Sequence, residues 1–292
     1  MADGFIPDEI TLFRAARAFI RTTSTESGEH ITPLHRWLGI RLVLEGGFLP
    51  EELSPTPPLR SEYRDGGWRL SFNPSAENKK EQIVLGALKS KRIDIVVGKK
   101  GIGPVLAISV KGTSKAFRNL VNRTEEAIGD CANIHLMYPG LVYGFVHFLR
   151  ATDATDSTLK PNDILLNEDR DVLSSVKDYA RILEGLAGRT LVRNEYSRYE
   201  ATALALLRVN AVEGQSPLHE EFPGATSPLS LDAFFAALYR VYDLRFVYTY
   251  TDPGIRHLAR VVWHPDSAAL VALRGEKFAR NFTEYSVRVS GA

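Results

Sequence analysis

A single cysteine, Cys131, in 292 residues leaves no internal disulfide and no cysteine-based zinc site. Long apolar runs are also missing, so no segment reaches the length of a membrane span. The opening segment MADGFIPDE has neither a basic nor an apolar leader, which predicts a cytoplasmic protein. The seven histidines show no HExxH or other paired metal spacing. No P-loop, GxGxxG, GxSxG or internal repeat is present, so no motif points to zincin, nucleotide-binding or serine-hydrolase chemistry. A net charge of +1 gives the chain as a whole no polyanion-binding character.

What is present is ordinary globular material, 44% hydrophobic and 24% charged, enough for one large domain or two modest ones. The charge is unevenly spread. Between Lys79 and Arg123 eleven basic residues face two acids, Glu81 and Asp94, a local +9 that leaves −8 elsewhere. A basic belt of this kind suits phosphate contacts, whereas a charge run by itself more often marks a solvated face.

The belt surrounds the most patterned stretch of the chain, Arg92 to Glu126. Ile93 to Val97 and Val105 to Val110 are two apolar runs, and Lys99-Lys100-Gly101-Ile102-Gly103-Pro104 between them holds the residues a turn needs. A hairpin folded about Gly101-Ile102 sets Asp94 opposite Ser109, and strand alternation puts Ser109 and Lys111 on one face. Gly112-Thr113-Ser114 ends the second strand and offers a helix cap. Phe117, Leu120, Val121, Thr124, Ala127, Ile128 and Cys131 then recur at the spacing of one helical face. On that stripe Glu126 falls on the solvent side, while Glu125 sits at its edge and can look back toward Lys111. A bare Asp–Lys cross-strand pair on a solvated hairpin would contribute only a fraction of a kcal/mol and imply no activity.

The order Asp94, hairpin, Ser109-x-Lys111, helix, Glu125 resembles the catalytic core of the PD-(D/E)XK nucleases. Ser-x-Lys with the second acid displaced to the next helix, in the context Arg123-Thr124-Glu125, is similar to the type II restriction endonucleases that cut around a CCGG core. The resemblance covers this stretch only. Ile93 stands where the family has Pro, and Lys115-Ala116-Phe117-Arg118 stands where the subgroup has its base-reading Arg-Ser-Asp-Arg, so the catalytic positions carry over and the target sequence does not. It implies an α/β core of mixed sheet flanked by helices, with further helices at both ends. Asp94 and Glu125 would hold Mg2+, which polarises a phosphoryl oxygen and acidifies its bound water. Lys111 would place a fixed positive charge beside the developing negative charge, and Ser109 would hold a metal-bound water. Lys99, Lys100, Lys115, Arg118, Asn122 and Arg123 would meet the DNA. The expected partner is double-stranded DNA, cut by a homodimer that matches a twofold site, with a tetramer also open.

Around this core the sequence suggests an N-terminal helical part (1–60), the core itself (61–152) and a mainly helical remainder (153–292). Asp8 to Thr22 and a segment from Thr32 to Gly46 read as helices. Glu29 and Glu45 flank the second; the resembled subgroup has a further acid from a helix before the sheet, spacing does not choose between the two, and both read as surface residues. Trp68 to Phe72 reads as a strand, Lys80 to Ser90 as a short helix, and Leu141 to Leu149 as a buried strand. Helices are expected around Val172 to Leu186, around Ala201, Leu204 and Leu207, and from Ser230; strands at Arg245 to Tyr250 and Leu258 to Trp263. Three competing functions remain open: a repair or recombination nuclease, a DNA-binding protein with an inactive nuclease-like core, and a helical interaction protein without enzymatic activity.

Overall fold

The computed structural model describes residues 10–22, 28–113, 120–155, 159–247, 257–274 and 284–290. Its centre is a mixed five-stranded sheet in the order β1-β6-β7-β8-β9, formed by Leu53–Ser54, Ile95–Lys99, Gly103–Thr113, Val142–Ala151 and Ala201–Arg208. β1, β6 and β7 pair antiparallel, while β7, β8 and β9 run parallel. Two small hairpins stand apart: β2 (Leu59–Arg64) with β3 (Gly67–Phe72), and β4 (Gln82–Val84) with β5 (Lys91–Ile93).

Helices cover both faces. On one lie α1 (Leu12–Arg21), α2 (Thr32–Leu44) and α5 (Leu231–Tyr242), sharing a core with Ile95, Val97, Ile108 and Val146. On the other lie α3 (Leu120–Met137) and α4 (Ser174–Gly185), packed on Val96, Ala107, Phe145 and Leu204. A sheet covered on both sides needs strands apolar on both faces, which is why β7, β8 and β9 read as nearly unbroken apolar runs. A short α6 (Ala268–Arg274) completes the first layer. That layer also closes on residues far apart in sequence: Glu284 accepts the first amide of α1 at Leu12 (2.9 Å), and the Tyr285 hydroxyl donates to the Ile10 carbonyl.

The expected hairpin is present, with Ile95 opposite Ile108, and α3 links β7 to its parallel neighbour β8. Ser230 caps α5 by accepting from the Ala233 amide. Three expectations are corrected. Residues 201–208 form a strand because Ala203, Ala205 and Leu207 meet one helical layer while Leu204 and Leu206 meet the other. Lys80 to Ser90 holds β4 and a loop whose amides at Leu88 and Lys89 are taken by Asn133 Oδ1. Asp243–Val247 is a π-helical extension of α5 rather than the start of a strand. No helix among the described residues is long and apolar enough to cross a membrane.

Candidate active site

Asp94 sits at the bend where the chain leaves the β4–β5 hairpin and enters the main sheet. β6 pairs with β7 only as far as Ile95–Ile108, while β7 runs on to Thr113 beside β8. The amide of Val110 is therefore left without a strand partner on that edge, and Asp94 Oδ2 accepts it at 2.7 Å. This bond fixes the carboxylate at the open end of the hairpin. Its other oxygen makes no hydrogen bond among the described residues; His35 Nε2 stands 3.9 Å from it. Burial raises the Asp94 carboxyl above its ordinary value, Glu81 adds to this, and His35, the Val110 amide and the Lys111 charge offset part of it.

Lys111, two residues beyond Ser109, is partly exposed and lies near enough for its charge to favour ionised Asp94. Its ammonium stands 3.5 Å from Glu126 Oε1. Glu126 also lies 3.8 Å from Lys91, which pairs with Asp130 one turn further along α3. The helix acid that meets Lys111 is thus Glu126, and Glu125 is exposed with no ion pair among the described residues. The reason is the face α3 buries. Ala127, Asp130, Cys131 and Ile134 define it; at about 100° per residue, Glu126 lies roughly 90° from its middle and Glu125 roughly 170°. Polar Asp130 and Asn133 belong to the buried side, so a stripe drawn through apolar residues alone is rotated away from it.

Ser109 points into the layer under α3, where its hydroxyl bonds the Tyr143 hydroxyl at 2.7 Å. Arg123 donates to Thr113 Oγ1, which bonds His147 Nε2, whose Nδ1 meets the Tyr179 hydroxyl. Burial, with the charges of Arg123 and Lys111, pushes His147 down to about 3, so this chain of contacts is neutral beyond Arg123.

The expected DNA contacts divide. Lys99 is buried, its ammonium held by both Glu52 oxygens at 2.8 Å and by the His257 carbonyl at 3.0 Å, which removes it as a phosphate contact. Lys100 is exposed at the hairpin turn, six extended residues or roughly 20 Å from Asp94. Asn122 and Arg123 are exposed on the first turn of α3, while Lys115 and Arg118 lie outside the described residues. Lys91 and Lys111 are countered by acids of α3, so the belt is less positive around Asp94 than its sequence count. Of the two upstream acids, Glu29 is exposed, but Glu45 is buried rather than at the surface. Arg41 Nε bonds both its oxygens at 3.1 Å and the Ser286 amide donates to it, which commits it to the core.

One grouping was not foreseen. His35 of α2, Glu81 before β4 and Asp94 offer ligand atoms that all lie within 4.8 Å of one another. No local spacing announces them, since three separate elements bring them together.

Comparison with known proteins adds no relative. No family model, curated protein or solved structure matches the chain. The chemistry of the site therefore rests on its own residues.

Proposed function

We propose that this chain is a Mg2+-dependent endonuclease that hydrolyses phosphodiester bonds in double-stranded DNA, a restriction endonuclease of the PD-(D/E)XK type. The observation that carries the reading is the Asp94–Val110 bond, which holds a desolvated carboxylate beside Lys111 where the antiparallel ladder stops and the parallel β7–α3–β8 unit continues. The residues suit a hard cation: among the described residues one Asp94 oxygen has no hydrogen bond, and burial disfavours the bare carboxylate that a bound cation would stabilise. Asp94 would hold the ion, with Glu126 replacing Glu125 as the helix acid. When bound, Mg2+ supplies Lewis acidity toward the phosphoryl oxygen and a more acidic water.

The chain's own groups do the rest. Lys111 presents a fixed positive charge to the scissile phosphate, and Glu126 sets its direction, an exposed pair worth under about 1 kcal/mol to stability and free to exchange for phosphate. Arg123, anchored through Thr113, faces outward for backbone contact. A twofold pair of chains would match a palindromic target. The test is digestion of plasmid DNA with Mg2+, with the ends sequenced. Discrete fragments with uniform ends from the wild type and none from Lys111→Ala support the reading; smeared products point to a repair nuclease. The neutralisation of Lys111 by Glu126 favours a second reading, a DNA-binding scaffold without cleavage. That reading requires Asp94→Ala to keep full DNA affinity and the wild type to cut nothing with any divalent ion.

A further inference from the structure

We infer that His35, Glu81 and Asp94 form a binding site for a borderline divalent transition ion, of the Mn2+, Co2+, Ni2+ or Zn2+ class, on the α2 side of Asp94. The inference deepens the nuclease reading, because Asp94 belongs to both, and it names an ion class other than Mg2+ that this centre would take.

The first support is a buried nitrogen with nothing to bond. His35 is 5% exposed, and its Nε2 has no hydrogen-bond partner among the described residues. A buried polar atom left in this way costs about 1–3 kcal/mol unless a ligand takes it up. Nε2 is turned toward the one Asp94 oxygen that also lacks a hydrogen bond, 3.9 Å away. That gap is too long for a hydrogen bond. An ion at about 2.0–2.2 Å from each atom spans it without moving either.

Glu81 completes the set. Its ligand atom is within 4.8 Å of the other two, while its Oε1 stands 3.7 Å from the other ring nitrogen, Nδ1, which cannot bind the same ion as Nε2. Closing on a common ion asks a shift on the order of 1–2 Å of a side chain that is partly exposed and sits in a loop, within its rotamer freedom. His35, by contrast, is fixed on α2 by packing and brings a preset nitrogen. One imidazole with two carboxylates is a mixed N/O set, which favours borderline ions; Mg2+ prefers oxygen donors and retained water.

Electrostatics agree with the geometry. The groups facing His35 are Glu81, Asp94 and His30, with Arg92 at 4.0 Å from the far Glu81 oxygen and Lys111 beyond Asp94. Arg36 is drawn away to Glu77 at 2.7 Å. Two carboxylates thus converge on one imidazole from a partly buried position, and a dication balances their charge.

The test titrates chelator-stripped full-length protein, without DNA, with Co2+ followed by its visible absorption, and with Mg2+ in calorimetry. The wild type is expected to bind one Co2+ per chain more tightly than Mg2+ and to develop a nitrogen-ligated spectrum. His35→Gln is expected to weaken Co2+ at least about tenfold and change the spectrum, circular dichroism confirming its fold. If His35→Gln does not fold, Glu81→Gln carries the same expectation. Wild-type Co2+ affinity and spectrum in these variants, or no Co2+ binding at all, overturns the inference. Lys111→Ala separates the two readings, since it should keep Co2+ binding while losing cleavage. A wild type that cuts no DNA yet binds Co2+ through His35 sinks the nuclease reading alone; one that cuts DNA but binds Co2+ equally well after His35→Gln sinks the site alone.

Discussion

Replacing Glu200 by alanine removes the one carboxylate that two buried arginines share. Its side chain is fully buried between β8, α3 and the loop before β9. Arg189 donates to Oε1 at 2.6 Å, Arg245 approaches Oε1 at 2.7 Å, the Tyr143 amide donates to Oε2 at 2.6 Å and His135 Nε2 lies 3.3 Å away. Arg189 keeps carbonyl partners at Pro139, Val192 and Asn194 after the change, but its charge and that of Arg245 lose their counter-ion. Removing one member of a buried ion pair costs about 3–5 kcal/mol, far above the 0–1 kcal/mol expected at the exposed Arg181–Asp178 pair. Burial by itself would raise the Glu200 carboxyl, yet the His135 contact, Arg245 and the Tyr143 amide more than reverse it and leave it below its ordinary value. Burial lowers Arg245 even with Glu200 beside it, but a guanidinium starts so high that it stays charged. Glu200 is therefore the partner whose titration matters. A depressed carboxyl contributes stability above its unfolded value and loses it as pH falls through the native one. Urea unfolding followed by circular dichroism should show the Glu200→Ala deficit at pH 7 and a narrowing gap as the wild type is acidified. A deficit under about 1 kcal/mol at pH 7 would refute the reasoning.

Other expectations follow from the same contacts. Asp94 is the opposite case: a carboxyl raised by burial contributes stability below its unfolded value and loses it as pH rises through the native one. Asp94→Asn should therefore be at least as stable as the wild type in metal-free urea unfolding at pH 7, and should cut no DNA once Mg2+ is supplied; a loss beyond about 1 kcal/mol contradicts this. Glu126→Gln should slow plasmid cleavage about tenfold and Glu125→Gln less than about twofold, and the reverse order in initial rates would restore the helix acid expected from sequence. Lys99→Met should cost about 3 kcal/mol in urea by stranding Glu52, with the salt dependence of DNA binding unchanged; a shallower salt slope would mean that Lys99 reaches phosphate after all.

The local parts of this fold were legible because each rests on neighbours in sequence. Gly and Pro mark the β6–β7 turn, Ser230 caps α5, and apolar runs of strand length mark β7 and β8. What escaped depends on partners far along the chain. Ala201, Leu204 and Leu207 fit a helical spacing equally well until layers on both sides of β9 bury both of its faces. Lys99 looks like a turn lysine until Glu52, 47 residues earlier, is seen beneath it. The sequence pattern favours Glu125 over Glu126 because Asp130 and Asn133 hide the buried face of α3 from a purely apolar count. The His35 grouping has no sequence signature, since tertiary packing alone brings a helix, a loop and a bend to one point.

The bond from the Leu12 amide to Glu284 bears on how the polypeptide matures. Synthesis delivers α1 well before residues 284 and 285, so its opening turn and the Ile10 carbonyl wait for partners that leave the ribosome more than 270 residues later. α1 would thus be among the last of the described helices to acquire protection from hydrogen exchange. Nascent chains stalled short of residue 284 should carry it frayed, however complete the sheet behind it.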